Sequence, residues 1–288
     1  MNIQSVRLYS FELKLKRPIV VRGRNLAVRQ GYIVELQAGP ILGYGEISPL
    51  EGFSPESLDE VQQQIKQLRH FLLSDPIPDN VEFLEGRFQD WLGNFALHPS
   101  VACGLEMAVL NLMANSRNLT LKELLAETSH SHIPINGLLQ GEPALILEQA
   151  RQMVAEGFTA LKLKVGTSLE ADIKLVRAVS EAIGGKALLH LDANRSWSLE
   201  EAIYFGTQVG LASVDYIEEP LSTYEEIPEF FRQTTIPVAL DETLADVSFK
   251  DIKSLDGVDV LVLKPSRIGG IEKTWCLIRE AKAQGIST

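Results

Sequence analysis

The chain has 288 residues, of which 45% are hydrophobic and 23% charged, and its formal net charge is −11. That length suits one large domain or two. The acidic balance argues against nucleic-acid or anionic-membrane binding, which call for a basic face, and no apolar run reaches the ~20 residues of a bilayer span.

The opening residues, MNIQSVRLYSFELKLKRPIV, alternate like a strand and hold no secretory h-region. Cys103 and Cys276 are far apart, lie in helix-like apolar stretches and show no CxxC spacing. They read as buried free thiols of a reducing compartment, so a cytoplasmic protein is expected. VRLYSFELKL and GYIVELQAG read as paired strands. GYGEISPLEGFSPESL, dense in Gly, Pro and Ser, reads as a loop leading into a helix. Ser57 and Glu60 make a capping box there, and Leu58, Val61, Ile65, Leu68 and Leu72 keep one helical face apolar. Helices follow at Val101–Asn115 and Leu121–Ala126. Residues 1–132 therefore read as an α+β domain.

From Ile133 strands and helices alternate. IPINGLL opens the series, then helix Pro143–Glu156, strand Thr159–Val165 and helix Leu169–Ile183. Strand Ala187–Asp192 precedes helix Leu199–Val209, and strand Val214–Glu218 precedes helix Tyr224–Gln233. Strand Val238–Asp241, a short helix near 248, strand Val258–Lys264 and helix Ile271–Gln284 complete it, with Ile286–Thr288 starting a seventh strand. Val/Ile/Leu-rich strands suit a parallel sheet covered by helices. Residues 133–288 thus read as a catalytic (β/α) barrel of the TIM type. A closed barrel has eight strands, so its C-terminal strands are expected to be missing from this chain. An open doubly wound sheet is the structural alternative.

Five charged residues recur along this half: Lys164, Asp192, Glu218, Asp241 and Lys264, with steps of 28, 26, 23 and 23 residues. Each lies at or just past the end of an apolar, β-rich run, where a parallel barrel gathers its active site. In LKLKV, Lys162 and Lys164 are two apart and point to one side of a strand. A lysine beside another cation in a partly dry site has a lowered pKa and can act as a general base. Three carboxylates offer all-oxygen ligation, which suits Mg²⁺ or Mn²⁺ rather than zinc. The five histidines show no metal-ligand spacing. Strand alternation turns one of Glu218 and Glu219 inward and leaves open which. The set reads as a site for a carboxylate whose α-carbon is flanked by Lys164 and Lys264, with the metal stabilising an enediolate.

The motif order LKLKVG, LDAN, IEEP, LDET and LVLKP resembles the lysine-based branch of the enolase superfamily, whose sites are known to combine a lysine base with Mg²⁺. GYGEISPLEGFSPESL, HPSVACGLEMAV and PINGLL are similar to segments of the o-succinylbenzoate synthases within it. The resemblance runs from residue 3 to the end. It implies dehydration of 2-succinyl-6-hydroxy-2,4-cyclohexadiene-1-carboxylate to 2-succinylbenzoate, a step toward menaquinone or phylloquinone. Lys164 would be the base and then the general acid, and Lys264 a cation on the opposite ring face. Asp192, Glu218 and Asp241 would ligate Mg²⁺. Lys162 would lower the pKa of Lys164, and Asn194 would support the site or touch substrate. The first domain would cap the barrel mouth, with Val20–Arg24 and Ile47–Phe53 near the substrate. His190, where some members carry arginine, reads as barrel filling. Two alternatives stand beside this reading. One is 1,1-proton transfer by the same lysines, as in N-acylamino acid racemases or dipeptide epimerases. The other is a non-catalytic barrel relic. The expected partner is a small carboxylate, with neither nucleic acid nor membrane; oligomeric state is not legible.

Overall fold

The computed structural model describes residues 1–21, 24–126, 128, 130–211, 214–252 and 255–288. It divides into two compact units, Met1–His130 with Lys264–Arg279, and Ser131–Leu263 with Glu280–Thr288.

In the first unit β1 (Ser5–Val21) pairs antiparallel with β2 (Arg24–Ala38), and β2 with β3 (Ile41–Ile47). Helix α1 (Leu58–Ser74) starts at the expected Ser57–Glu60 capping box and buries Val61, Ile65, Leu68 and Leu72. Two short helices, α2 (Arg87–Leu92) and α4 (Leu121–Leu125), flank α3 (Pro99–Ser116). Buried on nearly every side, α3 sets Leu105, Val109 and Leu112 into a core with Val34, Leu36 and Ile47.

Strand β3 corrects the sequence reading, which took GYGEI for loop. Its glycines serve close packing rather than a turn. A Cβ on Gly43 would run into the carbonyl of Ala108, and one on Gly45 into the carbonyl of Gly104, both on α3. Gly45→Ala must push sheet and helix backbones apart. We expect it to cost about 3 kcal/mol or more, read as a lowered denaturation midpoint; an unchanged midpoint would contradict this packing.

Lys264–Arg279, which the strand–helix rhythm assigns to the barrel, packs with this first unit. The reason is a pair of buried carboxylates. Glu272 accepts the N–H groups of Gly86, Phe88 and Gln89, closing the N-terminus of α2. Glu106 on α3 accepts the Glu272 N–H at 2.9 Å. Burial pushes Glu106 up to about 7, with the charge of Glu272 adding to the shift and backbone N–H bonds opposing it. The native state therefore holds a proton that the unfolded chain releases near its ordinary value of 4.5. Stability falls as pH rises across that interval and levels off above it. Glu106→Gln keeps an acceptor but cannot ionise. The wild type should lose about 3 kcal/mol relative to this variant between pH 4.5 and pH 7. Parallel stability–pH curves would contradict the assignment.

The second unit holds six parallel strands in sequential order. They are β4 (Gly137–Leu139), β5 (Ala160–Lys164), β6 (Leu188–Asp192), β7 (Tyr216–Glu218), β8 (Val238–Leu240) and β9 (Val258–Leu261). Between them run α5 (Pro143–Ala155), α6 (Leu169–Ile183), α7 (Leu199–Val209), α8 (Ile227–Thr234), α9 (Thr243–Asp246) and α10 (Phe249–Ile252). Helix α11 (Pro265–Ile268) and α12 (Ile271–Ala283) follow. The expected seventh strand is a single bridge, with Ser287 beside Val260. Leu161 and Leu163 of β5 are fully buried, as are Val176 and Val179 of α6 and Phe205 of α7. Alternation along β5 leaves the opposite side to Lys162 and Lys164.

Candidate active site

Parallel pairing sets Lys164, Asp192 and Glu218 in register on β5, β6 and β7. Asp241 follows β8, one position past its last residue. Asp192, Glu218 and Asp241 are all buried, at 3%, 1% and 8% exposure, a burial that carboxylates rarely reach without a cation.

Lys162 is the cation that the strands themselves supply. Its Nζ stands 2.9 Å from Asp192 Oδ2 and 2.6 Å from Glu218 Oε2. Burial pulls this ammonium down, but Glu218 and Asp192 outweigh it and raise the pKa, so Lys162 stays charged. Burial, then the charge of Asp192, push Glu218 up to about 7; Asp241 adds in the same direction and Lys162 opposes.

The choice between the adjacent glutamates has a geometric basis. Glu219 takes a left-handed φ of 46°, uncommon for a side-chain-bearing residue, and swings its carboxylate away from the row. It accepts N–H from Asp241 at 2.8 Å and Thr243 at 2.7 Å, the Thr243 hydroxyl at 2.8 Å, and Arg195 Nε at 3.1 Å. Glu218 instead meets Lys162, and its Oε1 is buried with no hydrogen-bond partner.

Lys164 is exposed, and its Nζ donates to Asn194 Oδ1 at 3.1 Å. Asn194 has a left-handed φ of 45° and donates from Nδ2 to Glu242 Oε1 at 3.1 Å. His190 is buried and stacks on Tyr216 with ring centroids 4.2 Å apart, its Nδ1 without a hydrogen-bond partner. Its Nε2 lies 3.1 Å from Asp215 Oδ2, and burial lowers its pKa.

Lys264 belongs to the first unit, where it caps α11 and its Nζ lies 5.6 Å from the centroid of the Phe53 ring. Of the two loops expected near substrate, Ile47 is fully buried in the first unit's core. Arg22 and Gly23 of Val20–Arg24 lie outside the described residues. Sequence reasoning missed Glu242, Arg195 and Thr243. Only the adjacency of Glu242 to Asp241, and of Arg195 to Asn194, could have drawn attention to them.

Among the described residues no three His, Cys, Asp or Glu side chains are spaced to hold an ion as they stand, and Lys162 lies against one oxygen each of Asp192 and Glu218. The chemistry nonetheless suits a hard divalent cation. Three acids are buried together, two of them share the Lys162 ammonium, Glu218 is driven toward protonation, and one of its oxygens is orphaned.

Two family descriptions match: "MenC, N-terminal domain" over residues 3–112 and "Enolase C-terminal domain-like" over residues 145–288. The chain belongs to the enolase superfamily. Among curated relatives, the o-succinylbenzoate synthase of Aliivibrio fischeri is 30% identical, over 99% of this chain and 80% of its own length. Protein PHYLLO, chloroplastic, of Arabidopsis thaliana is 34% identical over 89% of this chain. The chain spans only 16% of that longer relative. A dipeptide epimerase from Cytophaga hutchinsonii, solved with Mg and the dipeptide D-Ala-L-Val, superposes with a TM-score of 0.84. It is 26% identical, covering 98% of this chain and 77% of its own. Superfamily membership supports an enzyme, and the fold is the barrel-type βα array with an N-terminal antiparallel-sheet unit. Among the described residues no helix is long and apolar enough to cross a membrane.

Proposed function

We propose that the protein dehydrates 2-succinyl-6-hydroxy-2,4-cyclohexadiene-1-carboxylate to 2-succinylbenzoate. The observation that carries this reading is the joining of a MenC N-terminal domain to the Lys164–Asp192–Glu218 row in one chain. Lys164 takes the proton α to the carboxylate, and the C–H electrons pass into the carboxylate as an enediolate. The protonated Lys164 then returns that proton to the departing hydroxyl. The C–O bond breaks, water leaves, and the ring becomes aromatic. Lys264 is the second cation offered to the enediolate. Lys162 keeps Asp192 and Glu218 in place. Asp192, Glu218 and Asp241 are the residues that would hold Mg²⁺, or Mn²⁺. Bound there, the ion would supply Lewis-acid stabilisation of the substrate carboxylate as negative charge builds on it.

The dipeptide epimerase supports a second reading, 1,1-proton transfer on an N-acylamino acid or dipeptide. Proton abstraction by Lys164 serves both reactions, so the two are separated by substrate. The test compares kcat/KM for the cyclohexadiene with the rate of α-deuterium uptake by N-succinylamino acids and dipeptides in D₂O. The dehydratase reading requires the first to exceed the second. The reverse order would replace it with the racemase or epimerase reading.

A further inference from the structure

Two hydrogen bonds of 3.1 Å link the candidate base, Lys164, through Asn194 to Glu242. The other oxygen of Glu242, Oε2, is buried without a hydrogen-bond partner. The neighbouring cation does not use this carboxylate: Arg195 is bound to Glu219, Asp246 and Thr243. Glu242 precedes α9 but makes no side-chain cap bond to it, and among the described residues its side-chain hydrogen bond goes to Asn194.

An asparagine amide presents an oxygen and an NH₂ of nearly equal size, and either end can face a lysine. A carboxylate only accepts, so Glu242 draws the NH₂ end to itself and leaves Oδ1 toward Lys164. The backbone of Asn194 is also fixed, by its left-handed φ of 45° and by its N–H on Asp192 Oδ1 at 3.3 Å. An oriented Oδ1 holds one N–H of Lys164 whether the amine is charged or neutral. The lone pair of the neutral amine then points away from Asn194 rather than into it.

We propose that Glu242 is a positioning residue: by fixing the amide of Asn194 it aims Nζ of Lys164 for proton transfer. This rests on the assignment of Lys164 as base. Glu242→Gln offers Asn194 both a donor and an acceptor, so the amide is free to turn. The expected result is a kcat lower by about 10–100-fold, the scale of a misplacement near 1 Å, with KM for the cyclohexadiene and the half-saturating Mg²⁺ concentration unchanged. Asn194→Ala should show the same loss, and the double variant no more than the worse single one. Crystal structures of the substrate-free wild type and Glu242→Gln should show the Lys164–Asn194 contact kept in the first and lost in the second. Wild-type kcat in Glu242→Gln, losses that multiply in the double variant, or an altered Mg²⁺ requirement would each overturn the proposal. Should the wild type fail to dehydrate the cyclohexadiene, the functional reading falls by itself. The crystallographic comparison still decides the role of Glu242: a contact kept in the variant overturns it, and one lost supports it.

Discussion

Lys164→Ala is expected to lower kcat for dehydration by about 10²–10⁴-fold or more, the usual consequence of removing a positioned general base. The size follows from the proposed reaction, in which two jobs rest on one amine: the same Nζ would take the α-proton and return it to the leaving hydroxyl. Folding should be spared, because Lys164 is exposed and its side-chain bond goes to Asn194 alone among the described residues. Lys162→Ala differs in kind. It strips the ammonium from two buried carboxylates, and breaking a buried pair by removing one partner costs several kcal/mol. Loss of kcat with an unchanged melting curve in Lys164→Ala, and loss of both in Lys162→Ala, is the expected pattern. Near-normal turnover in Lys164→Ala would remove the amine from the chemistry.

Mg²⁺ is expected to raise the melting temperature of the wild type and to leave that of Glu218→Gln unmoved. An ion that binds only the folded state stabilises it by RT ln(1 + [L]/Kd), about 3 kcal/mol at a hundredfold excess over Kd. Glu218 is the most buried of the three acids, carries the orphaned Oε1, and is pressed toward protonation by burial and by Asp192. A divalent cation would give the orphaned oxygen a partner and favour the ionised carboxylate, whereas Gln removes the charge that the ion would meet. Dehydration should likewise vanish with chelator and return with added Mg²⁺. Equal Mg²⁺-induced shifts in both proteins would place the ion elsewhere.

Helices α6 and α7 were legible to the residue, because a 3.6-residue apolar period met local signals at their ends. Gly184 closes α6 with a φ of 55°, and Ser198 and Glu201 form a capping box on α7. Strand β3 was misread because Gly43 and Gly45 look like turn residues until the backbone of α3 is placed against them. Helix α2 was missed because its cap comes from Glu272, 186 positions past Gly86. The same nonlocal tie hid the packing of Lys264–Arg279 with the first unit. The charged row was legible, since strand ends recur at even spacing. Separating Glu218 from Glu219 was not, because it turns on a left-handed φ and four bonds from Asp241, Thr243 and Arg195.

The most direct test of the central claim is a spectrophotometric assay of the cyclohexadiene carboxylate with Mg²⁺, run with and without chelator on the wild type and on Lys164→Ala. Metal-dependent formation of 2-succinylbenzoate by the wild type, abolished in the variant, is the predicted result. Turnover that survives either the chelator or the loss of Lys164 would contradict it.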